Sequence, residues 1–430
     1  NKNKYAIQVD TKDAAYPITI DPISTTASAI LESNQVNANL GYAVASAGDV
    51  NGDGYSDVIA GAHGFDNGQT DEGAAFVYHG SATGISTTAA AFVESDVAGA
   101  RLGLSVSTAG DVNGDGYSDI IVGAGLYSNG QANEGAAFVY HGSASGINTT
   151  AAIRLESNQA SAQMGLSNSV ACAGDVNADG YSDVIVGAWL YDDGETNEGV
   201  ALVYHGSASG ISGSAATTLQ ANQSAANFGL AVAGAGDVNG DGYSDVIVGA
   251  EDYDNGNTDE GMIFIYHGSA AGINNVAVTM AESNEDLSQF GYAVASAGDV
   301  NGDGYSDVIV GAYLFDNGVV NGGGAFIYHG SATGVVNSIA ATLQCNQLGA
   351  LFGISVSGAG DINGDGYSDV IAGATLYDNV QTSEGAAFVF LGSAAGINTT
   401  ATVLESNQAN AQMGRSVASA GDVMVMGTAM

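Results

Sequence analysis

Short apolar runs rich in Ala, Val, Ile, Phe and Tyr recur along the whole chain, and small polar residues separate them. Residues 41–48 (GYAVASAG) form a run of small side chains, 56–61 (SDVIAG) a β-branched one, 73–79 (GAAFVYH) an aromatic one, and 87–94 (TTAAAFVE) alternates. Each has the length and composition of a strand, and none carries the period of an amphipathic helix. Asp66-Asn67-Gly68 between the second and third runs is a hairpin signal, and Gly80-Ser81-Ala82 turns the chain after the third. The pattern therefore predicts a four-stranded antiparallel sheet.

The same pattern returns with a period of about 62 residues, which marks a repeat architecture and overrides the two or three domains that length alone would suggest. Four strands per unit in radial repetition predict a β-propeller. A solenoid is disfavoured, because its coils usually repeat every ~20 to 30 residues. Gly at 64 residues and Pro at only 2 fit many tight hairpins, and no apolar stretch reaches membrane-spanning length.

Each unit carries one loop of the form Asp-x-Asn-x-Asp-Gly-Tyr-Ser-Asp. A hard cation needs this order of oxygen donors: side chains at positions 1, 3, 5 and 9 and a backbone carbonyl at position 7. In the first copy these are Asp49, Asn51, Asp53, the Tyr55 carbonyl and Asp57. The second places Asp111, Asn113, Asp115, Tyr117 and Asp119, and the third Asp175, Asn177, Asp179, Tyr181 and Asp183. The fourth has Asp237, Asn239, Asp241, Tyr243 and Asp245, and the fifth Asp299, Asn301, Asp303, Tyr305 and Asp307. The sixth has Asp361, Asn363, Asp365, Tyr367 and Asp369. The expectation is six calcium ions, set against metal-free Asp/Asn/Gly turn chemistry. The loops are not EF-hands: Ala60 or Val122 stands at position 12 in place of a bidentate Glu, and no helix flanks them. Such sites suit the high calcium of an extracellular setting.

The formal net charge of −40 reflects a scarcity of bases, 6 Lys plus Arg against 46 acids. That composition argues against nucleic acid and anionic membranes as partners, since both require basic patches. Three aspartates in each of six loops make eighteen of the acids, and six divalent ions would take the charge from −40 to −28. Cys172 and Cys345 stand at different points of their units, which argues against a disulfide.

The array resembles the FG-GAP repeats of integrin α-chain propellers and their bacterial relatives. The resemblance runs from Ser24 to Val423 and rests on Phe228-Gly229, Phe290-Gly291 and Phe352-Gly353 at unit starts, the Gly-Asp before each loop, and Gly-Ala pairs such as Gly61-Ala62, Gly187-Ala188 and Gly311-Ala312. It implies an all-β, seven-bladed propeller of four-stranded antiparallel blades, with calcium in hairpin loops on one face and adhesion or ligand recognition as its work. FG-GAP propellers also occur as accessory domains of enzymes. The proline that often follows Gly-Ala in the family is absent here, which leaves the fold reading intact.

Six units are complete and a seventh begins at Leu404, reaches Val423 and collapses into Met424–Met430 (MVMGTAM). That heptapeptide is what a one-nucleotide deletion would make of Asn-Gly-Asp-Gly-Tyr-Ser-Asp, so residues 424–430 read as a frameshift in the gene or in its sequencing. Ring closure then falls to the amino-terminal region. Residues 25–32 (TTASAILE) match a fourth strand, while 5–10 (YAIQVD) and 16–21 (YPITID) alternate as strands do. Residues 1–23 either complete a composite last blade or link to an upstream domain, and 24–423 form the propeller. The polar start, Asn1 to Lys4, carries no signal segment, consistent with a removed leader or an excised piece.

The calcium loops and the Gly-Ser-Ala turns fall on one face of the disc and are nearly invariant between units. The other face varies: His63, Gly125, Trp189, Glu251, Tyr313 and Thr375 follow the Gly-Ala pairs, with Tyr191 and Phe315 nearby. His63, Trp189, Tyr191, Glu251, Tyr313 and Phe315 are the candidate ligand surface, for a protein or glycan, against drift at solvated tips. Histidines 79, 141, 205, 267 and 329 recur one per unit, and glutamates 72, 134, 198, 260 and 384 precede third strands; both sets read as structural. No nucleophile triad, phosphate loop or paired-cysteine motif is present, so the chain is not expected to be an enzyme. Three readings follow: an extracellular or periplasmic recognition propeller, a structural cell-surface or matrix module, and an accessory domain of a secreted hydrolase.

Overall fold

The structure, a computed structural model, describes residues 24–316 and 318–423. They form six four-stranded antiparallel sheets, each taking its strands in sequence order, with no helix among the described residues. Blade 1 comprises Val44–Gly48, Asp57–Ala62, Ala74–Tyr78 and Ala91–Glu94, and blade 6 comprises Phe352–Gly360, Asp369–Ala374, Ala386–Phe390 and Thr402–Glu405. Second and third strands are almost wholly buried, as in Asp183–Ala188 and Ala136–Tyr140, which is why they read as continuous apolar runs. Fourth strands alternate because they form the outer rim.

The first strands of successive blades pack against one another around a central axis. Neighbouring blades meet where the Gly-Ala pair of one faces the unit-start glycine of the next. Gly61 and Gly103 approach so closely that a β-carbon on Gly61 would strike the Gly103 carbonyl, so the position requires glycine. Phe228, Phe290 and Phe352, the aromatic halves of the unit starts, are fully buried in these seams.

Among the described residues there are six blades rather than the seven that the repeat count predicts. The seventh place in the ring is instead held by a single segment, residues 414–423, which belongs to no sheet. Ser355 Oγ donates to the Gly414 carbonyl at 2.8 Å on one side, and the Val44 amide donates to Ser416 Oγ at 3.1 Å on the other. The axial cavity is accordingly lined by seven valines, Val44, Val106, Val170, Val232, Val294, Val356 and Val417. The Ser56 amide bonds the Asp422 carbonyl at 2.8 Å, as the Ser118 amide bonds that of Asp49 at 3.0 Å between blades 1 and 2.

Residues 25–32 are likewise not a strand, although they match the fourth strands in sequence. A fourth strand needs a third to pair with, and the described residues supply none in that sector. The predicted strands at 5–10 and 16–21 and the frameshifted tail at 424–430 lie outside the described residues.

Candidate functional site

Each Asp-rich loop follows a β-bulge at the end of a first strand, where the register shifts between Ser46 and Gly48 in blade 1. Asp49 Oδ1 accepts the Gly52 and Asp53 amides at 2.7 and 3.1 Å, and its Oδ2 accepts Gly54 at 2.8 Å. Asn51 Oδ1 accepts the Asp53 amide at 2.8 Å, and Asp53 Oδ1 accepts that of Tyr55 at 3.0 Å. This is an Asx-turn cascade that folds the donors to one side. The other five copies repeat its core; for example, Gly242 and Gly304 donate to Asp237 and Asp299. The third copy keeps this core but holds it with Ala178 where the others have glycine; Ala178 sits at φ 55, a left-handed conformation that costs a non-glycine residue roughly 1 kcal/mol.

Position 9 has a second role that the spacing does not reveal. Asp57, Asp119, Asp183, Asp245, Asp307 and Asp369 are all fully buried. Asp57 Oδ2 accepts the Val50 amide and Oδ1 the Gly80 amide, both at 2.9 Å, which ties the loop to the Gly-Ser turn after the third strand. Burial raises these carboxyls, to about 7 for Asp245 and about 6 for Asp119, Asp183 and Asp307, against the lowering effect of the amide bonds. The neighbouring loop aspartates push in the same direction as burial.

The donor chemistry suits a hard divalent cation, since every candidate atom is an oxygen and those that accept a single amide, such as Asp49 Oδ2 and Asp53 Oδ1, keep a second lone pair. The side chains are not drawn together as a finished cage. Among the described residues no three acid, histidine or cysteine side chains stand close enough to share an ion.

The loops are coupled around the ring. A β-carbon on Gly52 would lie 2.7 Å from the Tyr117 ring, so that position 7 tyrosine seats on the loop before it; Tyr181 on Gly114, Tyr305 on Gly240 and Tyr367 on Gly302 repeat the contact. One residue thus offers its carbonyl to its own loop and its ring to the preceding one. Tyr117→Ala is expected to lower stability by ~2 kcal/mol, less than the loss for a fully buried aromatic because the ring is half-exposed. A urea midpoint equal to that of the parent chain would refute this.

On the opposite face, the residues after the unit-start glycines converge on the axis. Tyr42, Leu104, Tyr292, Ile354 and Arg415 line one pocket with Ser167 and Asn168. The Arg415 guanidinium lies 4.6 Å above the Tyr42 ring and donates to the Tyr42 hydroxyl at 2.6 Å. Around this mouth stand three of the expected ligand residues. His63 packs edge-on against Tyr42, and Tyr313 lies tilted against Tyr292, each pair with centroids 4.5 Å apart. Glu251 is 8% exposed, its Oε2 has no hydrogen-bond partner among the described residues, and burial followed by the Asp252 charge raises its carboxyl to about 8. Asp252, raised to about 6 chiefly by burial, is bonded by Gln289 Nε2 at 3.2 Å and by Asn227. Trp189 is half-buried farther out and donates to Gln163 Oε1 at 3.2 Å.

Tyr191 and Phe315 do not join this group. They are half-buried packing residues, and Phe315 meets Phe326 of its own third strand with centroids 5.1 Å apart. Phe65, Tyr127, Tyr253 and Tyr377 make the same contact in other blades, so this aromatic position anchors the hairpin. Tyr42, Tyr292, Arg415 and Asp252 were missed by sequence reasoning. For the first three a signal was available, because the residue after the unit-start glycine changes from Leu or Ile in most units to Tyr42, Tyr292 and Arg415.

The repeated acids and histidines are braces. Glu72 Oε1 accepts the Asn67 and Gln69 amides inside its hairpin, and the His79 ring covers Gly146 of the next blade. Cys172 and Cys345 are free thiols.

Six blades among the described residues, with Gly-Ala to unit-start seams and one Asp-rich loop per blade, define a repeat propeller. The FG-GAP repeat model matches residues 40–78, 102–140, 167–204, 228–266, 290–328 and 352–390, and the chain belongs to that family. It is similar to Integrin alpha-6 of Homo sapiens, at 38% identity over 157 residues, covering 36% of this chain and 13% of that protein. Integrin alpha-4 of Xenopus laevis is 36% identical over 156 residues, covering 35% and 15%, and Integrin alpha-V of Gallus gallus 32% over 228 residues, covering 51% and 21%. The matched region thus spans less than a quarter of each of these relatives.

Proposed function

We propose that the chain is a calcium-stabilised extracellular recognition propeller of the adhesion type, which binds a protein or glycan on the face opposite its Asp-rich loops. One observation carries this reading: the two faces differ in kind. The loop face repeats one hydrogen-bonding scheme six times, as scaffolding does, whereas the other gathers unlike side chains around the axis. There Glu251 holds an unpaired buried oxygen beside Asp252, Tyr292 and Tyr313. Buried acceptors without donors favour a ligand that brings a cationic or hydroxyl-rich group, and flat aromatic surface favours one that can stack. The similarity to integrin alpha chains points to the same kind of work. No helix of the described residues is long and apolar enough to cross a membrane.

In this reading the loop residues Asp49, Asn51, Asp53, the Tyr55 carbonyl and Asp57, with their equivalents, hold calcium. The ion fixes the strand ends that carry the opposite face and does not bridge to ligand. Glycan and peptide arrays probed with calcium and with chelator test the recognition. For any ligand found, the Trp189→Ala/Tyr313→Ala double change is expected to weaken binding at least tenfold while leaving calcium content unchanged. Binding that survives it, but is lost when the Gly-Ser-Ala turns are altered, would place the site on the loop face.

A further inference from the structure

We propose that the recess at the mouth of the axis is a carboxylate site, and that its ligand is a uronic-acid unit in an otherwise neutral glycan. The inference rests on the recognition reading above and names the chemistry of the ligand. Repeat spacing points to the place. The first loop aspartate follows the unit-start glycine by eight positions in five of the six complete units, from Gly41 to Asp49 in the first, but by ten from Gly165 to Asp175 in the third. The pairings Val106↔Val122 in blade 2 and Val170↔Val186 in blade 3 keep one register, so the two extra residues fall between Gly165 and Val170, ahead of the strand. Ser167 and Asn168 from this longer stretch line the recess together with Tyr42, Tyr292 and Arg415. The Val232 amide of blade 4 donates to the Asn168 carbonyl at 3.0 Å, which fastens the insertion in place. The one irregularity in the length of the six units therefore sits beside the side chains that depart from the repeat.

The recess is built of donors. Five of its seven lining residues carry a side-chain donor, the other two, Leu104 and Ile354, are aliphatic, and none is an acid. The Tyr42 hydroxyl accepts the Arg415 guanidinium at 2.6 Å, so its own proton is left to donate to a ligand oxygen. The Tyr292 hydroxyl lies against the same guanidinium. A guanidinium fork flanked by hydroxyls matches a planar carboxylate. The recess holds about 10 Å³, room for one oxygen atom, which admits the edge of a carboxylate and not the bulk of a phosphate or sulfate. Beyond Tyr292 the character reverses: Tyr313 packs on Tyr292, and Glu251 and Asp252 lie within electrostatic reach of Tyr313, as Arg415 does. These carboxyls ask for hydroxyl donors beside the carboxylate. A peptide offers one backbone N–H per residue, whereas a uronate carries several hydroxyls on the ring that bears its carboxylate. The net charge of −40 repels a polyuronate, which leaves a single acidic unit among neutral sugars.

Titration calorimetry on the full chain tests this with three probes: methyl glucuronide, methyl glucoside, which lacks the carboxylate, and N-acetylaspartate methylamide, which carries it on a peptide unit. The glucuronide is expected to bind with a dissociation constant on the order of 1 mM, and the other two at least tenfold more weakly. Arg415→Lys, which keeps the charge and loses the fork, is expected to weaken the glucuronide at least tenfold. Tyr292→Phe, which keeps the ring and its packing, is expected to weaken it about fivefold with an unchanged melting temperature. Equal binding of the glucoside, or an affinity unchanged in both variants, would overturn the carboxylate site. Tighter binding of the aspartate probe would give the site to an acidic peptide and overturn the glycan assignment. A neutral glycan or basic peptide retrieved by the arrays, with no heat from the glucuronide, would sink this inference and leave the recognition reading standing.

Discussion

Excess chelator is expected to lower the melting temperature by about 20 °C relative to calcium at about 100-fold over its dissociation constant. Each site then contributes about 2.7 kcal/mol by mass action, and six independent sites about 16 kcal/mol. An entropy of unfolding near 2 cal/mol/K per residue converts that sum into the stated shift for a chain of this length. The unfolded chain has no preformed cage to compete, and ion binding also relieves repulsion by moving the net charge from −40 to −28. The Asx-turn hydrogen bonds of the loops are made within the chain itself, so the chelated protein is expected to remain folded at room temperature. Asp241→Ala should release one ion of six, because Asp241 is exposed at its rim and shares no oxygen with another loop. Scanning calorimetry showing the same melting temperature in calcium and in chelator would defeat the calcium assignment, whatever the fate of the ligand face.

The strands of the blades were legible because propeller strands are short, local and buried in a repeated way. Ser56–Gly61 and Gly73–His79 were expected where Asp57–Ala62 and Ala74–Tyr78 are found. The first and fourth strands came out shorter than their sequence runs, Val44–Gly48 and Ala91–Glu94, since their outer residues lead into turns. What escaped depends on neighbours in the ring. Residues 25–32 look like a fourth strand but have no third strand beside them among the described residues, and Phe315 looks like a surface aromatic until Phe326 is placed beneath it. Arg415 appears unremarkable in sequence and becomes a contact of Tyr42 only when the ring closes. Local pattern specifies the unit, whereas long-range closure decides which units find partners.

The same distinction separates two aspartates that a ligand-spacing motif treats alike. Asp245→Ala is expected to cost ~3 to 5 kcal/mol with or without calcium, because both of its oxygens are committed to buried amides. Oδ2 accepts Val238 and Oδ1 accepts Gly268, each at 2.9 Å, and the side chain is fully buried. Truncation leaves two amides unpaired at about 1 to 3 kcal/mol each and frees the Gly-Ser turn from the loop. Asp245→Asn should rescue only part of the loss, since its amide nitrogen would face one of those donors. Asp241 accepts the Tyr243 amide at the exposed rim, so Asp241→Ala should be nearly silent in chelator and costly only when calcium is present. Amide exchange confined to blade 4 in both conditions would identify Asp245 as a strut as well as a candidate ligand. If Asp245→Ala instead matches Asp241→Ala, silent in chelator and destabilising in calcium, then position 9 serves the metal alone and the two amide bonds contribute little.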